Sequence, residues 1–216
     1  MNFLQMSLDG RLVRGHDHPA GGGLTPEAAL ESLKAGNTRF VTGRAEHPHS
    51  DRSRLSHLHQ KGQAPLAAVL SCSDSRVPVE LLFDQGFGDV FVIRAAGQVA
   101  GVDQAGSVEY AVDHLGVPLV LVLGHTDCGA VKAAVSGEKA TGVLGQLLAR
   151  LDPVVDQVRD LPAEARVAAA IEKNVDWIIK ELRDNCPGLA AAEKAGRVRL
   201  TGAIYHLDSG KVEFRN

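Results

Sequence analysis

Two short stretches of the sequence carry residue types that bind metals and move protons. The stretch SCSDSRVP presents Cys72, Asp74 and Arg76 at alternate positions, directly after an apolar run. The stretch GHTDCG supplies His125 and Cys128. Two thiolates and one imidazole form a zinc donor set that leaves the fourth tetrahedral position open, as catalytic zinc sites do. These groups form one site only if the two stretches meet in the fold.

The elements that must position these residues follow from the hydrophobic pattern. Three continuously apolar runs, LAAVLS, DVFVIRA and PLVLVLG, are typical of strands covered on both faces. Helical patterns over 25–43, 108–115, 142–160 and 162–185 surround them, together with a polar surface loop over 44–64 that can include a short helix. Strands alternating with helices predict an α/β fold with a mainly parallel central β-sheet flanked by helices. The closing VRLTGAIYHL and KVEF predict an antiparallel edge strand at the C-terminus.

This topology predicts where the candidate ligands lie. Sites in open parallel sheets form outside the carboxyl ends of the strands. Cys72 follows the first run and His125 the third, so both are expected at that edge although 53 positions separate them. Cys128 stands where the next helix begins, and a helix N-terminus favours the thiolate. Each residue alone is commonly a small core residue or a hydrogen-bonded histidine, and only their joint placement favours a metal site.

Composition sets the broad class of the protein. The chain has 216 residues, of which 44% are hydrophobic and 23% charged, as in a single globular domain. We predict that domain over 25–216 and a flexible tail over 1–24. A net charge of −3 and 4% aromatic residues argue against nucleic acid or an anionic membrane as partners. Three scattered cysteines form no disulfide framework, which predicts a reducing, cytoplasmic location.

Read together, the two stretches resemble the β-class carbonic anhydrases, in particular bacterial members of the plant-like subgroup. FDQGFGDVFVIRAAG, SVEYAVDHLGV and the closing LxGxxYxLxSGxV also fall in the order and spacing of that family. The resemblance implies one Zn²⁺ per subunit, held by Cys72, His125 and Cys128. It implies reversible hydration of carbon dioxide to bicarbonate and a proton by a zinc-bound hydroxide. It further implies a homodimer or a higher even oligomer.

Asp74 and Arg76 have two interpretations. They could form a simple surface ion pair. Beside zinc, Arg76 would instead keep Asp74 ionised and turned away from the metal, so that the carboxylate accepts a hydrogen bond from the zinc-bound hydroxide. In the family this aspartate can swing onto zinc when its arginine partner is lost. Two thiolates also cancel the formal zinc charge, which weakens water acidification and predicts activity that rises toward alkaline pH.

The resemblance also assigns substrate-binding residues. Gln63, Phe91 and Tyr110 match a glutamine and two aromatic pocket walls that the neighbouring subunit contributes. Gly129 matches a residue whose backbone N–H faces the ligand. For Phe91 and Tyr110, ordinary core packing is an alternative of nearly equal weight.

Other interpretations of the whole chain stay open on the sequence alone. One is hydrolysis of a related cumulene such as carbon disulfide, which would need a narrow apolar tunnel. Another is a non-catalytic zinc or redox-sensing module. Further histidines occur in pairs in polar contexts and are predicted to be solvated surface residues: His16 and His18, His47 and His49, and His57 and His59. Cys186 has no partner in sequence and is predicted to take no part in the chemistry.

Overall fold

The computed structural model describes residues 4–6, 12–14 and 23–215. Strands β1 (Leu4–Met6) and β2 (Leu12–Arg14) pair with each other in antiparallel orientation. Most of the predicted N-terminal tail lies outside the described residues, so the boundary between tail and domain stays a prediction.

Five further strands form the central sheet. They are β3 (Ala67–Cys72), β4 (Val90–Ala95), β5 (Leu119–His125), β6 (Arg199–Tyr205) and β7 (Val212–Phe214). Their order across the sheet is β4-β3-β5-β6-β7, and every neighbouring pair is parallel except β6 with β7. The predicted α/β class, with a mainly parallel sheet and an antiparallel C-terminal edge, is confirmed.

Helices connect and cover these strands. They are α1 (Pro26–Val41), α2 (Arg52–Lys61), α3 (Val79–Leu82), α4 (Val102–Asp113), α5 (Gly129–Ser136), α6 (Gly142–Ala149), α7 (Asp152–Val158), α8 (Ala163–Asn185) and α9 (Pro187–Lys194). A short 3-10 helix, Ala96–Gln98, follows β4. Among the described residues, none of these helices combines the length and apolar character needed to cross a membrane.

The segment 142–160 differs from its prediction as one helix. The structure divides it into α6 and α7, with the break at Arg150 and Leu151. Pro153 explains the break, because its ring would clash with the carbonyl of Ala149 in a continuous helix and it has no N–H to donate there. At the second position of α7, where no such bond is needed, the proline is tolerated.

The sheet separates two apolar layers. Leu70 and Val122 pack with the side formed by α4, α5, α7, α8 and α9. Val69 and Leu121, the neighbouring residues on the same strands, pack with α1 and α3 on the other side. This alternation is the period of two expected of strands buried on both faces. The register pairs Ser71 of β3 with Leu123 of β5, so the carboxyl ends of these two strands lie side by side.

Candidate metal centre

The structure brings the three predicted ligands together. Cys72 ends β3, His125 ends β5, and Cys128 is the N-cap residue of α5. Their sulfur and nitrogen ligand atoms all lie within 4.8 Å of one another. Exposed fractions are 4% for Cys72, 0% for His125 and 1% for Cys128, so the atoms face one another inside the protein and not solvent. We call these three residues the donor cluster.

The tautomer of His125 suits a metal ligand. Its Nδ1 lies 2.8 Å from the carbonyl oxygen of Thr126, which can only accept, so Nδ1 carries the proton. The other nitrogen, Nε2, is buried and has no hydrogen-bond partner among the described residues. A neutral imidazole held in this way directs an unshared lone pair into the donor cluster, as metal-bound histidines do.

The two thiols are electrostatically coupled. Hydrogen bonding with Cys128 lowers the pKa of Cys72, and the backbone N–H groups of Asp74 and Gly97 lower it further. The same contact with Cys72, together with burial, raises the pKa of Cys128. One thiolate therefore forms readily and the second is opposed by the charge of the first. A divalent cation removes that opposition, so the donor set fits a soft-ligand metal such as zinc.

The loop between β5 and α5 places His125 and Cys128 through backbone contacts. The N–H of Thr126 donates to the carbonyl of Tyr205, and the N–H of Leu207 donates to Thr126 Oγ1 over 3.0 Å. Asp127 then adopts a left-handed backbone with φ of 61°, which aspartate tolerates better than most residues. This turn directs the chain into α5 with Cys128 facing the cluster.

Asp74 and Arg76 form an ion pair at the mouth of the donor cluster. Arg76 donates from Nε to Asp74 Oδ1 over 3.0 Å and from Nη2 to Oδ2 over 2.8 Å. These side-chain bonds and the backbone N–H of Arg76 hold the pKa of Asp74 well below its usual range, although burial opposes them. Asp74 Oδ2 lies 4.0 Å from His125 Nε2. The carboxylate is thus ionised, paired and adjacent to the cluster.

Sequence reasoning missed two residues that support this pair. Asp127 accepts from Arg76 Nη1 at 3.4 Å and also pairs with Lys132. Arg94, on β4, donates to the carbonyls of Cys72 at 2.9 Å and Asp74 at 2.6 Å. The sequence held a signal for Arg94, because this charged residue interrupts the apolar run of β4 near the carboxyl edge, where sites form in parallel sheets.

Three predicted substrate-binding residues lie away from the donor cluster of their own chain. Phe91 pairs with Ala68, four positions before the Ala95–Cys72 pair, which places it about 13 Å from the carboxyl edge along the strand. Gln63 is exposed in the loop that leads into β3. Tyr110 is 40% exposed on α4, and its ring centroid lies 6.1 Å from that of Phe91.

The remaining candidates are placed as follows. Gly129 opens α5 and is exposed, and among the described residues no atom beyond its chain neighbours and its own helix backbone lies within 4 Å of the position a Cβ would take. His47, His49, His57 and His59 are all exposed, as predicted, and His49 Nδ1 contacts Asp89 at 2.8 Å. His16 and His18 lie outside the described residues. Cys186 is fully buried, and burial raises its pKa to about 11.

The fold and the donor cluster define a class of protein: an α/β protein with a metal-binding set of two cysteines and one histidine where parallel strands end. The family model described as carbonic anhydrase matches residues 67–212. A carbonic anhydrase of Mycolicibacterium smegmatis is 42% identical over 195 residues, covering 88% of this chain and 94% of the relative. One from Pseudomonas aeruginosa is 38% identical over 173 residues, covering 75% of this chain and 78% of the relative.

Solved structures agree. A β-carbonic anhydrase of Coccomyxa, in complex with acetazolamide, has a TM-score of 0.69 and 28% identity, covering 86% of this chain and 85% of that one. One of two tetrameric β-carbonic anhydrases from Sordaria macrospora has a TM-score of 0.69 and 25% identity, covering 86% and 95%. The chain therefore belongs to the β-class carbonic anhydrase family. It is an enzyme of the carbonic anhydrase type, a lyase.

Proposed function

We propose that this chain hydrates carbon dioxide reversibly to bicarbonate and a proton, using one Zn²⁺ per subunit held by the donor cluster. The observation that carries the proposal is the convergence of Cys72, His125 and Cys128, with the lone pair of His125 Nε2 unused among the described residues. Three protein ligands leave one tetrahedral position for a reactant, as in catalytic zinc sites.

The residues around the cluster have distinct roles in this reaction. Bound zinc would supply Lewis acidity, which lowers the pKa of a coordinated water toward neutrality. Asp74, kept ionised by Arg76, accepts a hydrogen bond from the reacting water and aims an oxygen lone pair at the carbon of carbon dioxide. When this oxygen bonds to the carbon of carbon dioxide, the product is bicarbonate, and the proton lost by the water passes to solvent. Gly129 begins α5, where the first backbone N–H groups lack acceptors within the helix, so its N–H can donate to a substrate oxygen.

A second copy of the chain completes the site in this proposal. Phe91 and Gln63 sit at the wrong end of the sheet for their own donor cluster, so they can contact substrate only in a neighbouring subunit. Val102 is 85% exposed and Val143 is 81% exposed, and both line a groove that includes Ala95 beside Cys72. Exposed aliphatic side chains next to a reaction site favour burial against a partner, here in a homodimer or a higher even oligomer.

The cysteines support a cytoplasmic location. All three are buried and unpaired, and two of them belong to the donor cluster as free thiols. Such thiols persist in a reducing compartment.

Metal analysis and a carbon dioxide hydration assay on the wild type and on Cys72→Ser test the proposal. The wild type is expected to hold one zinc per chain and to be active, and the variant to lose both. Cys186→Ser, a buried cysteine outside the cluster, is the matched control and should keep both. A wild-type protein without zinc, or an active Cys72→Ser without zinc, would refute the proposal.

A further inference from the structure

Asn174 is a polar residue in the middle of an apolar helix face. The neighbouring inward-facing residues of α8 are Ala170, Ile171, Val175, Ile178 and Leu182. Asn174 is 0% exposed, and a buried amide is costly unless it is hydrogen-bonded. Its Nδ2 donates to the carbonyl oxygen of Gly97 over 2.8 Å, across 77 positions of sequence.

Gly97 connects this amide to the donor cluster. Its backbone N–H donates to Cys72 Sγ over 3.3 Å. Gly97 has φ of 67° and Gln98 has φ of 43°, so two successive residues adopt the left-handed region. A glycine rotates easily between backbone conformations, and a non-glycine residue keeps a positive φ only where its surroundings impose it. The turn therefore needs an external restraint to hold its N–H on the sulfur.

We infer that Asn174 is a positioning residue for the donor cluster, because it fixes the Gly97 turn whose N–H donates to Cys72 Sγ. This inference rests on the proposed metal-binding function. Hydrogen bonds to a ligand sulfur orient it and tune its electron donation to the metal. Asn174 thus reaches the sulfur through one intermediate residue and touches neither metal nor substrate.

The orientation of the amide supports this role. Only the NH₂ group can donate to the Gly97 carbonyl, so that contact decides which way the amide faces. The other end, Oδ1, is buried and has no partner in the described part of the chain. Among the described residues, the hydrogen bond to the Gly97 carbonyl is therefore the polar contact that the Asn174 side chain makes.

Asn37 provides a matched control on the other side of the sheet. It is 6% exposed on α1, and its Nδ2 donates to the carbonyls of Leu82 at 3.1 Å and Gly210 at 3.0 Å. Its Oδ1 accepts from the N–H of Val212 at 2.9 Å. Asn37 is thus also a buried helical asparagine that fixes remote backbone, but its contacts are separated from the donor cluster by β7 and β6 and include no residue that donates to a ligand atom.

The test compares the full-length wild type, Asn174→Leu and Asn37→Leu after reconstitution with cobalt(II) alone. Cobalt affinity is measured by competition with a chelator, the thiolate-to-cobalt absorption band is recorded, and thermal unfolding of the metal-free proteins is followed. Asn174→Leu is expected to bind cobalt about tenfold more weakly and to shift the band. Asn37→Leu is expected to lower the unfolding temperature while leaving cobalt affinity within about twofold of the wild type.

A second variant covers the case in which Asn174→Leu does not fold. Gly97→Ala disturbs the same turn directly, because alanine is strained at φ of 67° and its Cβ would lie 3.3 Å from the Cβ of Ala130. It should weaken cobalt binding and shift the band in the same direction. Wild-type affinity and band in either folded variant overturn the inference, as does an equal change in Asn37→Leu. A wild type that binds no cobalt instead refutes the metal-binding function itself.

Discussion

The donor cluster and the Asp74–Arg76 pair lie side by side but are held by different forces. The donor cluster is almost fully buried, and two strand ends and a helix start fix its three side chains. In the ion pair, the side chain of Asp74 is 17% exposed and that of Arg76 is 50% exposed. Burial makes the cluster rigid, whereas an exposed guanidinium exchanges partners readily. The cluster is thus suited to hold an ion, and the pair to control what happens beside it.

The largest expected effect comes from removing a buried donor. His125→Ala should abolish zinc binding and reduce carbon dioxide hydration by more than the roughly 100-fold that is typical of residues outside the ligand set. Metal analysis and stopped-flow assays measure both quantities. His206→Ala, at a half-buried histidine just after β6, is the control and should keep zinc and activity. If His125→Ala retained zinc, metal binding could not be assigned to the donor cluster as a role separate from that of the Asp74–Arg76 pair.

Removal of Arg76, the exposed partner in the ion pair, should reduce activity without reducing the zinc content. In Arg76→Ala we expect zinc to remain and hydration to fall by roughly 100-fold, because Asp74 loses its bidentate partner and is free to occupy the open position. Arg183→Ala is the control, since Arg183 makes a similarly exposed bidentate ion pair with Glu193, outside the donor cluster. Unchanged turnover in Arg76→Ala would show that Asp74 needs no such restraint.

The pH dependence of activity should come from the cluster and not from the pair. The lowered pKa of Asp74 keeps its carboxylate ionised at neutral pH. The stabilising contribution of the pair is therefore present above the unfolded-state pKa of about 3.9 and is lost only as pH falls through the lower folded-state pKa. Two thiolate ligands weaken water acidification, so hydration should rise toward alkaline pH, by up to about tenfold per unit on the acid limb. A flat pH–rate profile over about pH 6 to 9 would contradict this expectation.

The smallest expected effect concerns Asp127. Asp127→Asn removes the charge that faces Arg76 Nη1, but both side chains are about half exposed, with values of 50% and 52%. Hydration should therefore change by less than about threefold, as expected for an exposed ion pair. Steady-state kinetics at low and high salt measure the change. A larger loss of hydration activity would mean that the Asp74–Arg76 pair is held as rigidly as the buried donor cluster.

The sequence predicted the parts of this fold that depend on local patterns. Apolar runs marked the central strands, and the rule for parallel sheets placed Cys72 and His125 at one edge. The helix start at Cys128 was visible because a glycine and an apolar pattern follow it. These predictions succeeded because hydrophobic periodicity and strand direction are set by neighbouring residues.

Contacts between polar groups that are distant from each other in the chain could not be predicted from the sequence. Nothing near Asn174 in the chain indicates that its amide meets Gly97, because that contact depends on how α8 crosses the sheet. The support that Arg94 gives to Cys72 and Asp74 likewise depends on the register of β3 with β4. Such bonds require the tertiary structure, since a propensity or a period carries no information about which distant backbone group a side chain meets.

The pairing of His125 with Tyr205 has a consequence for biosynthesis. During translation the two cysteines and the imidazole emerge from the ribosome well before β6, whose strand supports one side of the loop that carries them. A nascent polypeptide therefore presents soft ligands long before their scaffold exists. We expect productive metallation to follow the folding of β6, because without that strand the loop that carries His125 and Cys128 lacks the acceptor for the Thr126 N–H.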